Sequence, residues 1–298
     1  MAKKTIVLAA AAVTALVALS GGSAATNNSW IVFAASPNHG TEAPQLFRVR
    51  ASGSGLQQIT TGSHAANDSD FAADGRRVAF SRLSSGLFVV NVDGSGLRRL
   101  TGDGSDRYPV WSPNGRSIAF VRGARLVYRL WLMSPNGHRQ HRLRLAPPLT
   151  AAERPAWTPD GKSLVIAAGG SFYRIRAATG KVQKRLAPTY DVSLGQLFWT
   201  LSPNGRMIAY VGRRAEPADC ERTACEVFAL YLQGVNSTRP KRSVDDAGVP
   251  GWLPDSRRLV YSHGGVLNVQ SLSGGTPTTI AIGDAALDGA APPAWQPR

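Results

Sequence analysis

From residue 30 onward, apolar and polar positions alternate in short runs that turn residues separate. The clearest unit is Trp111–Phe120, in which a large residue is followed by Ser-Pro-Asn-Gly and then by a second apolar run. Proline presets φ, Asn-Gly reverses the chain, and alternating apolar residues on either side are typical of strands. The unit therefore predicts an antiparallel hairpin. This part of the chain lacks the 3.6-residue apolar period of an amphipathic helix.

The hairpin unit recurs along the chain with the same internal spacing. A second apolar strand follows each hairpin, and then a Gly-rich turn and a short basic strand, as in Leu97–Thr101. Each repeat thus predicts four strands, and four-stranded units at intervals of roughly 40–50 residues are typical of β-propeller blades. The leading residues of the other copies are Phe71, Trp157, Leu201, Trp252 and Trp295.

The two ends of the chain together supply one more blade. Trp295 begins a first strand that has no second strand after it, and Trp30–Phe33 is a second strand that has no first strand before it. Joined, they complete a ring of six and remove the open sheet edges. The sequence predicts an all-β fold, a six-bladed β-propeller of four-stranded antiparallel blades closed by a composite N-/C-terminal blade.

Residues 1–25 have the pattern of a signal peptide. Lys3 and Lys4 precede an apolar run over 5–19, and small residues that end at Ala25 suit cleavage. The apolar run is shorter than the ~20 residues of a membrane-spanning helix. We expect a cleaved signal peptide over 1–25, a propeller over 26–298, and an exported protein, periplasmic or extracellular, with no stable membrane span. Retention of the segment as an anchor is the alternative.

The formal net charge of +15 and the pI near 10.7 at first favour a nucleic-acid partner. Export argues against that partner, and the leading tryptophans are expected in the core, where they cannot stack on bases. Much of the positive charge lies on the basic fourth strands, where like charges protect the outer edge of a blade from pairing. Attraction to anionic cell-wall polymers or membrane surfaces is the alternative.

The topology of a blade separates two faces of the disc. Turns between the first and second strands and between the third and fourth strands lie on one face, called the turn face. The loops between the second and third strands and the connections between blades lie on the opposite loop face. Most of the 19 acidic residues fall in or beside loop-face segments, whose lengths vary, and variable loops on a rigid scaffold commonly carry binding surfaces.

We expect the loop face to bind a protein, because Tyr and Arg dominate interface hot spots and the acidic residues open or precede inner strands. Ordinary turn chemistry and packing between blades are the alternative explanations. The candidate contact residues are Asp68, Asp70, Asp106, Arg107, Tyr108, Glu153, Arg154, Asp245 and Asp246.

No cofactor is expected, since no loop has EF-hand spacing; Ca²⁺ at the acidic channel mouth is the alternative. Two cysteines exclude a disulfide scaffold and a multi-thiolate metal site. Cys220 and Cys225 lie close together in a polar loop, and the sequence leaves open whether they form a local disulfide or stay reduced.

Signs of catalysis are few. The sequence has no G-x-S-x-G nucleophile elbow. His138 and His141 form an H-x-x-H pair, but they flank a predicted rim strand without a third ligand, which favours solvated side chains over zinc.

The unit W-S-P-[DN]-G-x-x-[IL]-A-F, with D-G-S-G and R-R-L-T after it, resembles the WD-like repeats of the TolB-type periplasmic propeller. Similar units occur in the propeller domains of prolyl-oligopeptidase-like enzymes. The resemblance covers about residues 30–298. We therefore expect this chain to have neither the N-terminal α/β domain of TolB-type proteins nor the hydrolase domain of the peptidases. It implies an exported, monomeric, non-catalytic propeller that binds an envelope protein or cell-wall component. The alternative is a carbohydrate-active enzyme, a lyase or hydrolase using His, Arg and Asp side chains at the channel mouth.

Overall fold

The computed structural model describes nine segments of the chain, namely residues 29–37, 42–124, 127–149, 154–189, 198–213, 228–245, 247–282, 286–287 and 293–295. Within them, 25 strands form six antiparallel sheets, which confirms the predicted six-bladed propeller. The predicted signal peptide lies outside the described residues. In the described segments, no helix has the length and hydropathy that crossing a membrane requires.

The blades are numbered in chain order, starting with the composite one. Blade 1 contains β1 (Trp30–Ser36), β2 (Gln45–Arg50), β3 (Gln57–Gln58), β24 (Ala286–Leu287) and β25 (Ala294–Trp295). Blade 2 contains β4 (Ala66–Phe71), β5 (Arg77–Arg82), β6 (Gly86–Asn91) and β7 (Arg98–Arg99). Blade 3 contains β8 (Arg107–Trp111), β9 (Ile118–Ala124), β10 (Val127–Met133) and β11 (His141–Arg142).

The other three blades each take four consecutive strands. Blade 4 contains β12 (Ala156–Trp157), β13 (Ser163–Ala168), β14 (Ser171–Arg176) and β15 (Val182–Thr189). Blade 5 contains β16 (Trp199–Leu201), β17 (Met207–Arg213), β18 (Phe228–Gly234) and β19 (Lys241–Asp245). Blade 6 contains β20 (Gly251–Trp252), β21 (Arg258–His263), β22 (Val266–Ser271) and β23 (Thr278–Ile280).

The repeated hairpin forms the first two strands of blades 2 to 6. Its turn is held by its own side chains: Ser112 donates to Asn114 Oδ1 at 2.8 Å, and the Ser117 N–H donates to Ser112 Oγ at 2.9 Å. Gly115 takes the left-handed conformation that this turn requires, with φ of 67°. The register is identical in every copy, with the pairs Phe71–Val78, Trp111–Ile118, Trp157–Leu164, Leu201–Ile208 and Trp252–Leu259.

The core lies between blades. Each of the six apolar clusters formed by the described residues joins two neighbouring blades; for example, Leu87 of blade 2 packs with Phe120 of blade 3. Two leading tryptophans also donate to the inner strand of the preceding blade, Trp157 Nε1 to Val110 O at 3.2 Å and Trp252 Nε1 to Thr200 O at 3.3 Å. Closely packed blades hold the inner strands, and so the loop-face side chains, at fixed separations.

The ring closes as the sequence predicts, with one difference. Strand β1 pairs with β25 through Ile31–Trp295, so the two ends of the chain share blade 1. Strand β1 also pairs with β24 through Ala35–Leu287. The innermost position of this blade is therefore divided between two short segments, whereas a single strand was expected.

Candidate functional site

A cleft opens on the loop face between blades 2 and 3. Its volume is about 130 Å³, and it brings together the ends of inner strands with the loop that follows β5. Four of the predicted contact residues line it, alongside five that were not predicted. We call this set the blade 2–3 cleft: Asn67, Asp68, Ser81, Arg82, Leu83, Gly104, Asp106, Arg107 and Tyr108.

Matching irregularities in two inner strands shape the cleft. The pairing of β4 with β5 shifts register between Asn67 and Asp70, and that of β8 with β9 shifts between Arg107 and Val110. Within these bulges, Asp68 has φ of 57° and Tyr108 has φ of 54°. Such bulges re-aim side chains, and non-glycine residues with positive φ concentrate at functional positions. The two bulges occupy equivalent positions in neighbouring blades.

Asp68 forms the buried wall of the cleft. It is 7% exposed, and Ser81 Oγ donates to its Oδ2 at 2.6 Å. Burial raises the pKa of Asp68, although the hydrogen bond from Ser81 and the charges of Arg154 and Arg107 act in the opposite direction. Asp68 is thus part of the buried wall of the cleft and not of its accessible surface.

Asp106 is the anchor of an ion pair within the cleft. Arg122 donates to it twice, from Nε to Oδ1 at 2.6 Å and from Nη2 to Oδ2 at 2.8 Å, and the Asp106 side chain is fully buried. The same guanidinium lies 4.5 Å from the ring centroid of Trp131. Bidentate hydrogen bonds between arginine and a carboxylate are stronger than hydrogen bonds between neutral groups. Asp106 therefore holds blade 3 together and is not available to a partner.

Arg82 occupies the position in blade 2 that Arg122 occupies in blade 3. Ala66 stands where blade 3 has Asp106, so Arg82 has no equivalent carboxylate; it donates to Thr61 O at 2.7 Å and lies over the ring of Phe88. Burial lowers the pKa of Arg82. Of the described residues, none forms an ion pair with it.

The accessible part of the cleft is apolar and basic. Leu83, in the loop after β5, is 50% exposed, and Arg107 and Tyr108 are half-buried beside it. Arg and Tyr are enriched among the residues that contribute most to protein–protein binding. The expected acidic surface is thus replaced here by a surface whose acids are buried.

Asp70 and Arg154 lie deeper, in the wall of the central channel. Arg154 Nη2 donates to Asp70 Oδ1 at 2.7 Å, and both residues line a channel volume of about 430 Å³ together with Pro113, Pro159 and Pro203 from the hairpin turns. Burial raises the pKa of Asp70, with the charge of Arg154 opposing that rise. The contact between these two predicted residues connects blade 2 with the segment that precedes β12 of blade 4.

Asp245, the one remaining predicted residue that the structure describes, does not line the cleft. Asp245 ends the outer strand β19 of blade 5, opposite Ala229. Within the described segments, no group of three or more His, Cys, Asp or Glu side chains is arranged to hold a metal ion, and Ca²⁺ at the channel mouth stays a hypothesis. Four predicted residues lie outside the described residues: Glu153, Asp246, Cys220 and Cys225.

The sequence analysis missed Arg82 and Leu83 as cleft residues. A signal was present, because Phe80–Arg82 and Phe120–Arg122 repeat a Phe-x-Arg pattern at the end of the second strand. Both arginines were predicted on the loop face, and the repetition indicates that they occupy equivalent positions in blades 2 and 3.

Comparisons with known proteins agree with the fold. Residues 20–161 match the family model described as the TolB beta propeller domain. The Tol-Pal system protein TolB of Zymomonas mobilis subsp. mobilis is 38% identical over 84 residues, which cover 27% of this chain and 18% of that protein. The uncharacterized peptidase YuxL of Bacillus subtilis is 27% identical over 110 residues, covering 33% of this chain and 16% of that protein. The matches thus span less than a fifth of the length of either relative.

Among solved structures, TolB from Acinetobacter baumannii has the same fold, with a TM-score of 0.69 at 18% identity over 92% of this chain and 68% of that one. The repeated hairpin and the ring of six blades show a β-propeller, and the match over residues 20–161 is consistent with a propeller domain of the TolB type.

Proposed function

We propose that this propeller is an exported, non-catalytic binding protein of the cell envelope and that it holds a protein partner at the blade 2–3 cleft. One observation carries the proposal: exposed Leu83 and half-buried Arg107 and Tyr108 border the same loop-face cleft. The similarity to a protein named for the Tol-Pal system supports a role in assembly with other envelope proteins.

The carbohydrate-active alternative receives no support from the cleft. A lyase or hydrolase needs titratable groups that are free to exchange protons with substrate. Of the two carboxyl groups that line the cleft, Asp68 is buried against Ser81 and Asp106 is bound by Arg122. The relative named as a peptidase shares only 16% of its length with the matched stretch, so a peptidase activity does not follow from that match.

The test is affinity capture from envelope extracts with chemical cross-linking, followed by binding measurements on the purified partner. The cleft variant is Leu83→Ala/Arg107→Ala/Tyr108→Ala, which leaves the buried Asp106 in place. We expect it to weaken binding at least about tenfold, because contact hot spots of this composition contribute strongly.

The chain supplies a matched control on the opposite face. Leu97 is 48% exposed in a turn-face loop, and Arg116 is exposed in the hairpin turn of blade 3. Leu97→Ala/Arg116→Ala removes one leucine and one arginine side chain, as the cleft variant does, without touching the cleft. Equal loss of binding in both variants, or turnover of a polysaccharide by the wild type without a protein partner, would refute the proposal.

A further inference from the structure

A second concave surface lies on the outer rim of blade 3, away from the loop-face cleft. It is a groove of about 310 Å³ between the third and fourth strands of the blade and the segment that follows them. We call it the rim groove, and its residues are Arg129, Leu130, Arg142, Leu143, Arg144, Leu145, Pro148 and Leu149. None of the proposed partner-binding residues belongs to it.

The polar side of the rim groove is entirely cationic. Arg142 and Arg144 are exposed and Arg129 is half-buried. Arg129 Nη1 makes one long hydrogen bond, to Tyr128 O at 3.4 Å. Among the described residues, no carboxylate forms an ion pair with any of the three guanidiniums. Several arginines left without carboxylates are suited to an anionic group, and the guanidinium fork matches phosphate geometry.

The apolar side of the groove is continuous with the protein core. Leu130 and Leu143 are buried in the cluster between blades 3 and 4, and Leu145 and Leu149 pack against that cluster while staying partly exposed. Pro148 is exposed beside them. A hydrophilic polyanion would gain nothing from these side chains, whereas an amphiphile would cover them.

We propose that the rim groove binds the phosphate headgroup of an anionic phospholipid at a membrane surface. The arginines contact the phosphate, and the partly exposed Leu145, Pro148 and Leu149 contact the boundary between headgroups and acyl chains. Basic residues near an anionic bilayer and apolar side chains at its interface both favour attachment to the surface without spanning. The site orients the propeller with the rim of blade 3 toward the membrane.

The test is co-sedimentation of the full chain with phosphatidylcholine vesicles that contain or lack phosphatidylglycerol, at low ionic strength. The groove variant is Arg129→Gln/Arg142→Gln/Arg144→Gln. The matched control, Arg76→Gln/Arg116→Gln/Arg206→Gln, removes the same charge from three exposed residues of hairpin turns. We expect the groove variant to lose about tenfold or more in affinity for the anionic vesicles and the control to change less than about twofold.

Further measurements distinguish an anionic phospholipid from other possible ligands of the rim groove. Leu149→Ser should weaken binding to the anionic vesicles and leave binding to soluble polyphosphate unchanged. If the groove and control variants lose the same affinity for anionic vesicles, the loss reflects the overall charge of the protein, and the proposed site is wrong. Equal binding to vesicles without phosphatidylglycerol, or binding to polyphosphate with no gain from a bilayer, would overturn the phospholipid as its occupant. Melting curves identify any unfolded variant, in which case Arg142→Gln alone is compared with Arg116→Gln.

Discussion

Arg154 and Asp70 form an ion pair between residues 84 positions apart in the chain, with 2.7 Å between Nη2 and Oδ1. Asp70 lies in β4 of blade 2, and Arg154 precedes β12 of blade 4. The second carboxylate oxygen of Asp70 accepts the backbone N–H of Trp111, in β8 of blade 3, at 2.8 Å. A single carboxylate therefore connects the inner strands of three consecutive blades beside the channel.

Arg154→Gln should destabilise the whole propeller. It leaves the Asp70 carboxylate buried without its cation, and removing one partner of a buried pair costs about 3–5 kcal/mol. The side chains of Arg154 and Asp70 are 16% and 24% exposed. We therefore expect a loss at the lower end of this range, about 3 kcal/mol in the free energy of unfolding measured with urea.

Two further variants test the origin of that loss. Asp70→Asn/Arg154→Gln should lose less than the sum of the single variants, because residues in contact couple by about 0.5–3 kcal/mol. Arg174→Gln removes the exposed Arg174–Asp160 pair, whose atoms are 3.6 Å apart, and should cost less than about 1 kcal/mol. An Arg154→Gln protein that unfolds like the wild type would show that the pair contributes no net stability.

The fold could be predicted because each blade repeats the same local chemistry. Pro and Asn-Gly fix a hairpin turn from neighbouring residues alone, and the pairing Trp111–Ile118 follows from that turn. Even Ser256, which replaces the turn glycine in blade 6, takes the left-handed conformation with φ of 56°. Its Oγ accepts the Asn204 N–H at 3.0 Å, a contact between blades that no local pattern encodes.

The candidate site could be predicted only as a face of the disc. Asp106 was assigned to a binding surface because it precedes an inner strand, and Arg154 because arginine is common at interface hot spots, yet both are held by ion pairs. Which acid meets which arginine depends on the packing of distant segments. Pro109 lies in the bulge at Tyr108, and proline in a strand often marks a bulge, but the bulge at Asp68 contains neither glycine nor proline. The sequence therefore marks only one of the two bulges that shape the cleft.

The stability of the wild type relative to Asp68→Asn should fall as the pH rises above about 4. Burial raises the pKa of Asp68 above its ordinary value of 3.8, so the folded state binds a proton more tightly than the unfolded state does. Folding then costs more as the carboxyl ionises, and the difference grows until the pH passes the folded pKa. Asn keeps the side-chain oxygen and tolerates positive φ. The measurement is urea unfolding of both proteins between about pH 4 and pH 7.

Asp255→Asn is the control, because the stability of the wild type relative to this variant should change with pH in the opposite direction. Burial acts to raise the pKa of Asp255, but hydrogen bonds from the Arg257 N–H and from Arg258 outweigh it and lower the pKa. The wild type should therefore lose stability relative to this variant as the pH falls below about 4. Parallel pH profiles for Asp68→Asn and Asp255→Asn would contradict both assignments.

Two leading tryptophans should respond differently to replacement by phenylalanine. Trp111 and Trp252 are 5% and 6% exposed. Trp252 Nε1 donates to Thr200 O at 3.3 Å, whereas Trp111 Nε1 is buried without a hydrogen-bond partner among the described residues. Because a buried hydrogen bond contributes about 1 kcal/mol, Trp252→Phe should cost about 1 kcal/mol more than Trp111→Phe in urea unfolding. Equal losses would mean that only the volume of the ring matters at these positions.

Removal of residues 294–298 should lower the melting temperature of the entire propeller. The pairing of Ile31 with Trp295 and of Val32 with Ala294 closes the ring, and its loss leaves the inner part of β1 as an open sheet edge. Only the short pairing of β1 with β24, at Ala35–Leu287, then remains on that side. The blades share their core clusters, so we expect one cooperative transition at a lower temperature in calorimetry. A chain that lacks residues 1–25 is the control and should melt like the full chain. A chain that ends at residue 293 and also melts like the full chain would show that the pairing of β1 with β24 alone keeps the ring closed.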